Sequence, residues 1–160
     1  MNRWLGLACF LLTAGPAAAA PLKAAVFDFQ FSNLSPVPSD AADAVRLKRV
    51  SAELRALLEK KGLYIVISTD PVRAAVAKSA DLRRCNGCAD DFARELGADV
   101  AITGEVQKVS NLILNLNVYV KPLTGDAPER AYSVDLRGNT DESFDRGIRF
   151  LVENTMGAGK

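Results

Sequence analysis

Hydrophobic and polar positions change their spacing repeatedly along this chain, and each spacing predicts an element. Residues 23–31 (KAAVFDFQF) are apolar and aromatic with little polar alternation, which reads as a strand covered on both faces. Pro36 and Pro38 interrupt residues 32–39, the longest predicted loop. A long helix follows, with Ser39 or Asp40 as its cap and Leu47, Val50, Leu54, Leu57 and Leu58 on one stripe at helical spacing. It ends where Lys60 and Lys61 meet the negative end of the helix dipole and Gly62 takes the left-handed cap. Residues 63–67 (LYIVI) form a short buried strand. If both strands share a sheet, their connection is a right-handed parallel crossover.

Thr69, Asp70 and Pro71 start a short helix over 72–78, with Pro71 where a missing N–H does no harm. Residues 79–87 are polar, and a second short helix spans 89–96, with Phe92, Ala93 and Leu96 inward and Gly97 as its stop. From Asp99 the period becomes two: Val100, Ile102 and Val106 share a face, and Gly104 marks a bulge. The chain turns near Val109 and Ser110. The next strand puts Leu112, Leu114, Leu116, Val118 and Val120 on one face and Asn111, Ile113, Asn115, Asn117 and Tyr119 on the other, which reads as wet. After a turn over 122–128, Tyr132, Val134 and Leu136 line a third strand. A final helix turns Phe144, Ile148, Leu151 and Val152 inward. The order β–α–β–α–α–β–β–β–α is that of an α/β, mixed α+β domain: a mixed sheet carrying helices, in a single domain over residues 21–160.

Residues 1–20 have the three parts of a secretory signal. Arg3 supplies the positive end, residues 4–12 a short apolar run, and Ala18, Ala19 and Ala20 the small residues before a cut. Acylation of Cys9 is the competing reading, disfavoured by Gly6 and by the very short apolar run before Cys9. Cleavage near Ala20 leaves an exported, soluble protein, periplasmic or secreted, in an oxidising compartment.

Composition then narrows the chemistry. The 160 residues include 20 Lys and Arg, 19 Asp and Glu, three cysteines and no histidine. Losing Arg3 and Cys9 with the signal balances the charges and leaves two cysteines. A neutral chain lacks the excess of cations on which nucleic-acid or anionic-membrane binding rests. Without histidine there is neither the commonest metal ligand nor the commonest general base, and no Ser–His–Asp arrangement. No metal and no cofactor is expected.

Cys85 and Cys88 are the chemistry-capable pair. The first reading is a disulfide clamping the loop before the 89–96 helix, worth about 2 kcal/mol for so short a ring. Thiol–disulfide exchange is the alternative, with Arg83, Arg84 and a helix N-terminus favouring a thiolate. A metal site comes last, since two thiolates make half a tetrahedron. Asp28 in its apolar strand is either a carboxyl with a raised pKa or an aspartate bonded to backbone N–H groups or an arginine. Asn139 caps the last helix, with Glu142 reaching back. Arg46, Lys48 and Arg49 form a solvated helix face. Asp90 and Asp91 diverge on their helix and make no calcium site. The contact surface of a binding module would be the face of Asn111, Asn115, Asn117 and Tyr119, or the loop around Cys85. A small ligand between the sheet and the loop of Pro36 and Pro38 is a further reading without a specific residue.

Four segments together resemble a bacterial family of predicted secreted proteins classed as a domain of unknown function. They are Cys85-Asn86-Gly87-Cys88, residues 96–104 (LGADVAITG), 107–114 (QKVSNLIL) and 137–143 (RGNTDES). Phe144 stands where that family leads one to expect Trp. More distantly, LGADVAITGEV followed by a long strand is similar to the amino-terminal domain of TolB and to FlgO- and CsgG-type envelope proteins. The resemblance implies an exported α/β module that binds other envelope proteins and carries no catalytic residue. It also implies a context near periplasmic quinoprotein alcohol oxidation systems, whose components are candidate partners.

Overall fold

A computed structural model describes residues 20–79 and 81–157; the predicted signal segment lies outside these residues, apart from Ala20. The elements are β1 (Lys23–Val26), β2 (Gln30–Asn33), α1 (Ala41–Lys60), β3 (Ile65–Ile67), a 3-10 turn (Asp70–Val72), α2 (Arg73–Lys78), α3 (Cys88–Glu95), β4 (Val100–Lys108), β5 (Leu114–Pro122), β6 (Arg130–Leu136) and α4 (Asp141–Phe150), which runs on as a π-helix (Leu151–Met156). The strands form one mixed sheet in the order β3-β1-β4-β5-β6, with β2 beside the far half of β4. β1 runs parallel to β3 and β4, and β4, β5 and β6 make an antiparallel meander. No helix among the described residues is long and apolar enough to cross a membrane.

Each face of the sheet has its own core. On one, α1 and α4 bring Val50, Leu54, Leu58, Phe144, Ile148, Leu151 and Val152 against Ile102, Leu116 and Val118. On the other, the 3-10 turn, α3 and the connecting loop bring Val72, Leu82, Ala89 and Ala93 against Ala25, Phe27 and Ala101. The helix stripe and the alternation of β4–β6 are thus the core predicted from the sequence. Asp40 caps α1 in a reciprocal box with Asp43, and Gly62 and Gly97 adopt positive φ just beyond α1 and α3.

The predicted strand over 23–31 is broken. Val26 pairs with Ile102 but Gln30 pairs with Glu105, so four steps along one strand oppose three along β4. One extra residue makes a bulge at Phe27, Asp28 and Phe29, and it shifts the phase. Phe29 and Phe31 therefore turn to the α1 face, while Gln30 reaches across the other face to accept the Leu82 N–H at 2.7 Å. Helix α1 holds the freed backbone groups: Ser51 Oγ accepts the Phe29 N–H at 2.9 Å, and Arg55 donates twice to the Val26 carbonyl at 2.8 and 3.1 Å. Asp28 is exposed and receives the same guanidinium at 2.6 Å, so it is the arginine-bonded aspartate and not a buried acid.

Gly104, predicted as a bulge, sits in a regular stretch opposite Val118. Its missing side chain makes room for the Phe29 ring, which a Cβ there would meet at 2.5 Å. The cap of α4 also differs from expectation. Thr140 Oγ1 accepts the Ser143 N–H at 3.2 Å, Asn139 turns inward, and Glu142 pairs with Arg146. Arg46 and Arg49 are not a free solvated face: Arg46 Nε donates to Asp141 at 2.9 Å and Arg49 pairs with Asp145, which ties α1 to α4.

Candidate interaction site

The end of the molecule at the close of β4 is built by one turn. Ser110 Oγ accepts the N–H groups of Leu112 and Ile113, both at 3.1 Å, and the Ile113 carbonyl accepts from Val109 at 3.1 Å and Ser110 at 3.2 Å. These bonds hold Leu112 outside the ladder, so it is 78% exposed instead of starting the apolar face of β5 as its spacing predicts. Alongside, the Leu34 N–H donates to the Lys108 carbonyl at 2.8 Å, and Asn33 Nδ2 donates to the Val37 carbonyl at 2.8 Å. The two loops together expose five large apolar side chains: Leu34, Val37, Val109, Leu112 and Ile113. Leu34, Val37 and Val109 carry no periodic signal, and Leu112 and Ile113 fall in phase with β5, which is why the sequence pattern does not mark this tip.

Beneath the tip lies a buried polar cluster that was equally invisible. Asp43, in the first turn of α1, meets Lys108, the last residue of β4, at 3.3 Å. Asn139 Nδ2 donates to the same carboxylate at 2.7 Å, and Arg46 Nη1 approaches it at 3.3 Å. Burial pushes the Asp43 carboxyl up, but the hydrogen bonds from Asn139, Lys108 and the Asp40 backbone, with the Lys108 charge, outweigh it and hold the pKa below its ordinary 3.8. Asn139 Oδ1 is buried and has no hydrogen-bond partner among the described residues. The cluster is an ion-paired clasp joining α1, β4 and the loop before α4.

The polar face predicted as wet is only partly so. Asn115 Nδ2 donates to Asp135 at 2.8 Å, and Ser133 Oγ bridges Asn115 and Asn117 at 2.9 and 2.8 Å. Asn117 is buried, and Asn111 lies in the turn outside β5. The guanidinium of Arg83 stacks on Tyr119 at 3.6 Å from the ring centre and forks onto Glu129 at 2.8 and 2.9 Å. Burial first, and the Glu105 charge second, push the Tyr119 hydroxyl up. Cross-strand satisfaction and the Arg83 lid thus occupy much of the surface that a partner would need.

Arg83 comes from the loop that Cys85 and Cys88 close. The two cysteines are disulfide-bonded, with Asn86 and Gly87 at positive φ between them, and both sulfurs pack at the margin of the second core. Arg84 is drawn to Asp81 at 3.4 Å. Asp90 pairs with Lys121 at 2.7 Å and Asp91 with Arg94 at 3.2 Å, which separates the two carboxylates. Among the described residues, no group of three His, Cys, Asp or Glu side chains is placed to hold a metal ion. A crevice of about 440 Å³ opens at the ends of β1 and β3, and its arginines are engaged locally, Arg55 by Asp28 and Arg73 by Asp70.

These features define a mixed α+β domain whose reactive side chains are largely tied to one another and whose exposed surface includes a small apolar tip. The chain belongs to the family described as "Protein of unknown function (DUF2380)", DUF3280, whose model matches residues 22–156. Among solved structures it is similar to a PelC dodecamer variant from Paraburkholderia phytofirmans, 18% identical over 88% of this chain and 92% of that one, with a TM-score of 0.50. It is also similar to the LpoB C-terminal domain from Escherichia coli (18% identity, 78% and 89% coverage, TM-score 0.44) and to lipoprotein GNA1162 from Neisseria meningitidis (12%, 76% and 84%, 0.44). At these identities the likeness concerns the fold alone. No curated protein matches the sequence.

Proposed function

We propose that this protein is a non-catalytic accessory module of the bacterial envelope, built on a TolB-amino-terminal-like domain, that acts in the periplasm by binding another envelope protein. The observation that carries the reading is the apolar tip: Leu112 and Ile113 are 78% and 62% exposed on a turn fixed by its own hydrogen bonds. Exposed apolar groups gathered on a rigid support are the usual mark of a protein contact. The engaged state of Asp43, Arg83 and the two cysteines supports a binding role over a catalytic one. The predicted secretory leader supports the compartment, as does the disulfide.

The test is site-directed photo-crosslinking in the native periplasm from position 112, with position 115 as the comparison. A discrete adduct from 112 that disappears in an Ile113→Asp background is expected. Components of a quinoprotein alcohol oxidation system are the first adducts to look for by mass. Absence of any specific adduct from 112, or substrate turnover by the purified protein, overturns the reading.

A further inference from the structure

The terminal strands β3 and β6 of the path β3-β1-β4-β5-β6 are built differently. β6 carries Arg130 and Asp135 along its length, charges of the kind that keep an open edge from pairing with another chain. β3 carries none: residues 63–67 read Leu, Tyr, Ile, Val, Ile, and Ile65 is 47% exposed. Among the described residues its one strand partner is β1. The Ile65 N–H donates to the Leu22 carbonyl at 2.9 Å, and the register pairs Lys23 with Ile65 and Ala25 with Ile67. Backbone groups alternate sides along a strand, so those of Ile65 and Ile67 serve β1 while the N–H and C=O of Val66 point out from the sheet.

Charge then fixes the sense of any pairing. Lys60 and Lys61 precede β3 and Asp70 follows it. Lys61 also meets Glu153 at 3.2 Å and Asp70 holds Arg73, whereas Lys60 has no ionic partner among the described residues. Two copies of this edge laid parallel stack like charges. Laid antiparallel, they bring the lysines of each copy alongside the Asp70 segment of the other.

We infer that β3 pairs with β3 of a second copy, antiparallel about a two-fold axis near Val66, so that two sheets become one. The contact is isologous, and it closes the unguarded edge of both copies at once. Three residues a side fall well short of a standard interface of about 1,600 Å², so the dimer forms reversibly and its population follows concentration.

Sedimentation of the signal-free, disulfide-intact chain over a wide concentration range tests this. Wild type is expected to pass from monomer to dimer. Val66→Pro removes the outward N–H and leaves the bonds to β1 in place, a substitution that edge strands tolerate. It is expected to stay monomeric with an unchanged circular dichroism spectrum. Lys60→Asp should weaken association severalfold, and Lys60→Asp with Asp70→Lys should recover it. Leu112→Asp, at the apolar tip, should leave dimerisation unchanged, which separates this inference from the proposed partner contact. A wild type that is monomeric throughout, a dimer that survives Val66→Pro, or one abolished by Leu112→Asp overturns it.

Discussion

Asp43 and Lys108 meet at 3.3 Å with both side chains 2% exposed, a charged pair set between the first turn of α1 and the last residue of β4. Desolvation makes such a pair a modest net contributor, but removing one member strands the other. Asp43→Ala should therefore destabilise the fold by about 3–5 kcal/mol. Asp43→Leu with Lys108→Met, which removes both charges, should cost clearly less than the two single changes together. Urea denaturation of wild type, Asp43→Leu, Lys108→Met and the double variant forms the cycle, and strict additivity would show that the pair is not coupled.

The same carboxylate gives a pH dependence with a definite sign. Its folded pKa lies below its ordinary value, so its stabilising contribution is present above the unfolded pKa and is lost as pH falls through the folded one. From this group, stability should be flat above about pH 5 and fall below about pH 4. Asp43→Asn should lack that component, so the gap between wild type and variant narrows on acidification. A gap that stays constant between neutral and acidic buffer contradicts the assignment.

Gly104 and Phe29 make a second coupled pair. A methyl group at position 104 would stand 2.5 Å from the Phe29 ring, which is itself buried. Gly104→Ala should cost about 1–3 kcal/mol, as overpacking does. In a Phe29→Leu background the same substitution should cost less, because the smaller side chain yields the space. Equal costs in the two backgrounds, measured by thermal unfolding, would place the strain elsewhere.

The Cys85–Cys88 bond is expected to be structural. Replacing both residues with serine should lower stability by about 2 kcal/mol. Its reduction potential should lie below about −300 mV, away from the roughly −120 to −270 mV of exchange-active pairs. Titration against glutathione or dithiothreitol buffers measures this directly. A potential inside the active range would make the pair a redox partner and not a clamp.

Much of the architecture was legible because buried elements repeat. The stripe from Leu47 to Leu58 and the alternation from Leu114 to Val120 each return to one face, and period alone identifies them. What escaped was set by contacts far apart in sequence. Nothing near Asp43 reveals Lys108, 65 positions away, and nothing near Asn139 says that its amide turns to Asp43 and leaves the cap to Thr140. The phase shift at Asp28 was hidden for a related reason: an apolar run has no polar alternation against which a slip would show. The tip was missed because Leu112 and Ile113 read as strand until Ser110 is seen to bind both of their N–H groups.

The single supernumerary residue at the bulge has an outcome beyond local geometry. It lets one short stretch of chain supply Phe27 to one hydrophobic core and Phe29 to the other, although the two are only two positions apart. Were this stretch to run as a regular strand at its present length, Phe29 and Gln30 would fall on the wrong sides together. Substitution of Asp28, whose side chain is exposed, should therefore be tolerated so long as the extra residue stays out of the ladder.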